Sequence, residues 1–280
     1  MDIAPHRSAI RRGLPFFALL SILGLLTLLY INRPAGVLSA LSRLRFQYVL
    51  LALVLSTVDW LGGGLRLYNF VRLLSRKVGY WACVRANLGN IFLGAVTPSQ
   101  TGGGPAQILV LFREGLSVPE AIMSSLMTFL STVICLVLSA VYLFLGREIP
   151  QVSFAGGRHI LRYSGVVFGL VSLLILVAFL KPEASKRILS GFHRGWFRLR
   201  RRECGGEEGR WTRGLAGLER CHEYLSLYIR KGKLRLLAGV LLSAVVFGSK
   251  WLMAYVIVKG LGLGAGIREV LVIQMALTYL

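Results

Sequence analysis

Acidic residues are scarce in this chain: 12 Asp and Glu stand against 33 Lys and Arg, leaving a formal charge of +21 over 280 residues. Cysteine is scarcer still, with four spread along the chain and two of them in apolar runs, which excludes a disulfide scaffold and implies no oxidising compartment. Only 16% of residues are charged, so the positive surplus is not that of a nucleic-acid-binding domain, whose surface is polar throughout. No nucleophile elbow, phosphate-binding loop or paired-carboxylate arrangement occurs, and catalysis has no visible apparatus. Cys204, Cys221, His193 and His222 lack tight ligand spacing apart from the adjacent Cys221 and His222, so neither a metal nor a cofactor is expected. What is abundant is apolar: 55% of residues are hydrophobic and the mean hydropathy is +0.65, too high for disorder. The basic residues therefore lie between long apolar runs, the composition of a multi-span membrane protein.

A helix needs about 20 apolar residues to cross the hydrocarbon core. Runs 14–31, 47–65, 162–180 and 234–259 meet that requirement. The first follows His6, Arg7, Arg11 and Arg12 with no convincing cleavage site behind it, and reads as a retained anchor with its N-terminus in the cytoplasm. A fifth span, 117–146, opens on a capping box, Ser117-x-x-Glu120, with Pro119 in the first turn. Its 30 residues would rise about 45 Å, longer than the core, so this helix is tilted or projects from the surface. Segment 181–235 holds 15 of the 33 basic residues, which places it in the cytoplasm by the positive-inside rule. With both of these fixed, residues 79–112 begin and end on the cytoplasmic face.

The middle of that stretch reads TPSQTGGGPAQ, between limbs of about 18 and about eight residues. Eight helical residues rise only about 12 Å, so a hairpin dipping from the cytoplasmic side fits better than two crossings. A plain helix–loop–helix kink packed in the bundle stays open beside it. The expected fold is all-α: one polytopic membrane bundle over 1–280 with a cytoplasmic-side re-entrant hairpin.

The hairpin supplies most candidate site residues. Pro105 stands where a return helix would begin, after Gly102, Gly103 and Gly104; such a turn either admits an anion to the backbone or only lets helices pack. Asn87, Asn90, Gln100 and Gln107 add uncharged donors and acceptors. Asp59 and Arg85 each lie about 10 Å below the cytoplasmic ends of their segments, which points to a pair or a shared polar pocket unless Arg85 snorkels to the headgroups. Ser124, Thr128, Ser131, Cys135 and Ser139 form a small, hydroxylated stripe, either a headgroup groove or a packing surface. Lys250 is a second intramembrane cation. Between 185 and 202, Ile188, Phe192, Trp196 and Leu199 share a face ringed by basic residues, an interfacial helix suited to anionic lipid. A second stripe, Trp211, Leu215, Leu218, His222, Leu225 and Ile229, marks another helix on the bundle or the membrane. The expected partners are thus membrane phospholipids, with no nucleic acid; a homo-oligomer stays open.

The run NIFLGAVTPSQTGGGPAQILVLFREGLSVPE, Asn90 to Glu120, resembles the flippase-like transmembrane domain of lysylphosphatidylglycerol synthase/flippase proteins and their stand-alone relatives. The matching element is the TP-S-x-T-GG-x-P-x-Q stretch with a basic residue and glycine after it, and the likeness in span order covers most of the chain. The resemblance implies inverted repeats, two re-entrant hairpins and translocation of lipids such as aminoacylated phosphatidylglycerol or lipid-linked saccharides, at the cytoplasmic membrane of a bacterium. It places Thr97, Pro98, Thr101, Gly102, Gly103, Pro105 and Gln107 at the hairpin tip. The soluble aminoacyl-transferase part of the parent family has no counterpart in these residues, so the enzymatic alternative is the membrane part of a phosphatidylglycerol lysyltransferase conferring resistance to cationic antimicrobial peptides. A non-transporting membrane scaffold is the other alternative. Residues 267–280 read as the descending limb of the second hairpin, which suggests a chain cut short within an inverted repeat.

Overall fold

The computed structural model describes residues 45–97, 100–145, 223–228 and 230–278, together with Ile22, Thr27 and Arg220. Six helices carry most of these residues: α1 (Phe46–Leu74), α2 (Tyr80–Val96), α3 (Gly103–Arg113), α4 (Val118–Leu145), α5 (Lys233–Gly260) and α6 (Ile267–Leu277). No strand occurs among the described residues. Helix α1, α4 as far as Tyr142, and α5 are each long and apolar enough to cross a membrane, so the fold is an all-α membrane helix bundle. The expected span 162–180, the amphipathic stretch 185–202 and, apart from Ile22 and Thr27, the span 14–31 lie outside the described residues.

Two compact units are present. The smaller takes in Val256–Ala265, where α5 ends. Gly262 adopts φ 78°, Leu263 N–H donates to Val258 O at 3.2 Å and Gly262 N–H to Lys259 O at 3.0 Å. This is the Schellman stop, in which a left-handed residue lets the chain return to the last free carbonyls.

In the larger unit α3 stops in the same way. Gly115 has φ 102°, Leu116 N–H donates to Leu111 O at 3.2 Å, and the buried Leu111 and Leu116 make the accompanying apolar contact. Ser117 then opens α4: its N–H and its hydroxyl both donate to Glu120 Oε2 at 2.8 Å, which confirms the Glu120 half of the expected box.

Glycines set how closely these helices approach. Helices α1 and α2 run antiparallel, with Asn87 Nδ2 donating to Trp60 O at 3.2 Å and the Tyr68 and Tyr80 rings meeting edge-on at 6.0 Å. Between those contacts a Cβ on Gly64 would lie 2.5 Å from Val84 Cγ2, and one on Gly63 would strike the Asn87 carboxamide. Helices α1 and α5 are also antiparallel: Gly62 faces Val246, and the missing side chain of Gly239 makes room for the Phe70 ring. Phe70 is buried with Met123, Met127, Leu225 and Tyr228, and the Tyr228 hydroxyl donates to Phe70 O at 2.7 Å. Leu225 thus packs on the bundle, one of the two settings open to its stripe, whose other members Trp211, Leu215, Leu218, His222 and Ile229 lie outside the described residues.

The opposite faces are apolar too. Leu234, Leu237, Leu241 and Val245 recur at helical spacing on α5 and all are exposed, the reverse of a water-facing helix and suited to lipid.

One expectation changes here, and one open choice narrows. The span 47–65 was expected to end at Arg66, yet α1 continues to Leu74, because Arg66 finds partners inside the bundle and Arg72 lies over the Tyr68 ring at 5.6 Å. The hydroxylated stripe of α4 is a packing face: Ser124, Thr128, Ser131 and Cys135 are buried, with Thr128 donating to Ser124 O and Ser131 to Thr128 O at 2.8 Å each.

Gly64→Leu drives a side chain into Val84 and is expected to cost at least about 1–3 kcal/mol, read as a lower unfolding midpoint in detergent. Gly104→Ala, which meets open space, leaves the midpoint unchanged. Burial pushes the Tyr228 phenol above its ordinary value of 10, so the native state favours the neutral form. Its contribution is full below about pH 10 and is lost as pH rises through the higher folded value. An unfolding series into that range should steepen above about pH 10, and Tyr228→Phe should flatten it.

Candidate functional site

Polar side chains inside this bundle gather in two places, one in the hairpin and one among the long helices. The hairpin limbs α2 and α3 are 17 and 11 residues long and run antiparallel. At about 1.5 Å per residue α3 rises about 16 Å, roughly half the hydrocarbon core, so it cannot cross. Three rungs join the limbs. At the closed end a Cβ on Gly103 would strike Asn90, and Gly94 lies beside it. At the middle Asn90 Nδ2 donates to Gln107 Oε1 at 2.5 Å, and Gln107 Nε2 donates onward to Ser125 Oγ of α4 at 3.2 Å. At the open end Arg85 Nε and Nη2 donate to Glu114 Oε1 at 3.0 and 2.8 Å.

Side chains organise the tip as well. Thr97 Oγ1 donates to Leu93 O at 2.7 Å and accepts Gly102 N–H at 2.8 Å, while Gln100 N–H donates to Thr97 O at 3.1 Å. Gln100 sits at φ 57°, in the left-handed region that few non-glycine residues enter. A Cβ on Gly102 would lie 2.6 Å from Thr97 Cγ2. Gly102 and Gly103 are therefore small because the limbs touch there. Gly104 has open space around it, and Thr101 and Pro105 are exposed beside it. Pro98 lies outside the described residues.

The second cluster crosses α1, α4 and α5. Asp59 Oδ1 lies 3.4 Å from Lys250 Nζ. Two turns further along α1, Arg66 Nη1 donates to Thr132 Oγ1 at 2.7 Å and to Ser243 Oγ at 3.1 Å, and Ser131 Oγ lies 3.3 Å from Ser243 Oγ. Asp59 and Arg85 were expected to share a pocket, and the structure separates them. Asp59 turns toward α5 and meets Lys250, whereas Arg85 turns along the hairpin to Glu114. Equal depth along two helices does not fix the faces that carry the charges.

A family model described as the lysylphosphatidylglycerol synthase TM region matches residues 16–280. The chain belongs to this family. Comparison with curated proteins and with solved structures finds no significant match.

In this member of the lysylphosphatidylglycerol synthase TM region family, Arg66, Thr132, Ser243, Glu114 and Ser125 join the candidate residues. Arg66 reads in sequence as a cytoplasmic flank, yet a signal was present: Asp59 and Arg66 are spaced i, i+7 on α1, and Ser243 and Lys250 share that spacing on α5. Equal pitch on two antiparallel helices lets both pairs meet.

Gln107→Leu leaves the Asn90 carboxamide without its partner and is expected to cost about 1–3 kcal/mol of unfolding free energy. Arg85→Ala, whose guanidinium is largely solvent-exposed, is expected to cost less than about 1 kcal/mol. Denaturant titrations of both variants in detergent check the difference.

Proposed function

We propose that the protein moves a phosphate-headgroup lipid, such as an aminoacyl-phosphatidylglycerol or a lipid-linked saccharide, across the bacterial cytoplasmic membrane. The observation that carries this reading is the charge held among the membrane-capable helices: Asp59 with Lys250, and Arg66 two turns away. A helix bundle that served only as an anchor or a scaffold gains nothing from such groups, whose burial in hydrocarbon costs several kcal/mol each unless they serve a path for polar cargo.

The hairpin supports the same reading. Its short return limb fits a re-entrant element entered from the cytoplasmic side, with the N-terminus of the chain on that side. Its open end presents the exposed Arg85–Glu114 pair, where a headgroup arriving from the inner leaflet is met first and can exchange with Glu114 for the guanidinium. The polar line from Asn90 through Gln107 to Ser125 leads from the hairpin to α4. The exposed residues at the tip, Thr101, Gly104 and Pro105, complete the headgroup path. Outward movement of a cationic lipid reduces the negative charge of the outer surface and weakens its attraction for cationic peptides.

Purified protein in liposomes carrying fluorescent phosphatidylglycerol tests the proposal, with dithionite bleaching as the measure of lipid reaching the outer leaflet. Asp59→Asn and Lys250→Met are expected to slow flipping at least about tenfold, a change of about 1.4 kcal/mol in barrier, with helical content retained. Arg85→Ala, acting only at entry, slows it a few-fold. Flipping at wild-type rate in both the Asp59 and Lys250 variants would sink the reading.

A further inference from the structure

Arg66 is the least neutralised of the interior charges. Its neighbours solvate it without cancelling its charge. Thr132 Oγ1 gives its proton to Thr128 O at 3.2 Å and Ser243 Oγ gives its proton to Gly239 O at 2.9 Å, so both hydroxyls are free to accept from Arg66 Nη1. Ser131 likewise spends its proton on Thr128 O at 2.8 Å. Hydroxyl dipoles are thus turned toward the guanidinium, but no carboxylate among the described residues pairs with it. Asp59, the acid on its own face, lies against Lys250. One acid therefore stands against two bases, and a net positive charge remains within helices able to span a membrane.

The guanidinium is also half-used. Both Nη1 hydrogens are taken by Thr132 and Ser243, while Nε is buried with no hydrogen-bond partner among the described residues. Nε–H and one Nη2–H point along the same edge of the planar group, the two-pronged edge that grips a pair of oxygens. Nη2 has no partner among the described residues either and, unlike Nε, is not closed off from solvent, so an oxyanion meets the edge from the Nη2 side. A buried donor without a partner is costly, which makes this vacant edge an energetic demand for an acceptor.

We infer that Arg66, fixed through Nη1 by Thr132 and Ser243, is a receptor for a phosphate-type oxyanion, which takes the Nε/Nη2 edge and supplies the missing negative charge. The chemistry is shared by a lipid phosphodiester and by free inorganic phosphate. As a lipid site it deepens the transport reading and rests on it; as an anion site it stands without it.

Phenylglyoxal modification of arginine, mapped by mass spectrometry on the full chain in detergent, tests the site. Dihexanoyl-phosphatidylglycerol and inorganic phosphate serve as separate probes and dihexanoylglycerol as the phosphate-free control. One of the phosphate probes is expected to slow labelling of Arg66 at least fivefold, with Arg72 labelled at an unchanged rate. Protection by the lipid alone identifies a headgroup site, and protection by inorganic phosphate identifies a free-anion site. Labelling of Arg66 unaffected by both, or slowed equally by dihexanoylglycerol, overturns the inference. Calorimetric titration with the protecting probe gives the second measure: Arg66→Gln should weaken binding at least tenfold and Thr132→Val with Ser243→Ala a few-fold, whereas unchanged affinity in a folded Arg66→Gln protein also overturns it. Protection is read without transport. A protected Arg66 in a protein that flips no lipid leaves the site and removes the transport reading; an unprotected Arg66 in a protein that flips lipid removes the site alone.

Discussion

The bond from Arg66 to Thr132 and Ser243 ties three long helices together at one level, and the remaining packing of the larger unit is arranged around it. In hydrocarbon a polar group has no water to fall back on, so each one fixes where its partner must stand. Arg66 meets that demand only if α4 and α5 both turn their hydroxyls toward α1. The buried serines of α4 and the absence of a side chain at Gly239 are the steric conditions for that approach. One turn further along α1, Phe70 fills the space that Gly239 leaves, so the apolar cluster and the polar layer depend on the same close contact.

The hairpin obeys the same constraint at a smaller scale. Its limbs are joined by an amide pair in the middle and an ion pair at the open end, while glycine contacts close the other end. The order is physically sensible. The ion pair sits where it is largely exposed and desolvation is small, whereas the amides, which cost less to bury, occupy the interior. Lipid-facing sides need no such provision, and the exposed leucines of α5 show it.

Much of this was legible in the sequence because apolar length and charge asymmetry are strong signals in a membrane chain. The pair of helices within 79–112, the box at Ser117 and Glu120, the helix ends near Leu145 and Gly260, and the family followed from run lengths and from the TPSQTGGGPAQ stretch. The partnerships did not follow. Depth along a helix is a one-dimensional quantity, and Asp59 and Arg85 share a depth while facing different neighbours. Arg66 was hidden for a related reason: a base at the end of an apolar run looks like a flank unless its position around the helix is compared with that of Asp59. The glycines were ambiguous because room for a ligand and room for a neighbouring backbone call for the same residue; the close approach of Thr97 and Asn90 is visible only in three dimensions.

The equal spacing of the two contacts between α1 and α5 has a mechanical meaning. Asp59 with Lys250 and Arg66 with Ser243 act as two pins of one pitch in two facing bars, engaged together in a single alignment. Toward the end of α1 a third pin joins them, Asn69 Nδ2 donating to Arg235 O at 2.7 Å and Arg235 Nη1 to Asn69 O at 2.6 Å, and a slide of one helical turn, about 5.4 Å, pulls all three out of register together. The register of these two helices is therefore set by polar contacts that fit together in one alignment, as a key fits one lock.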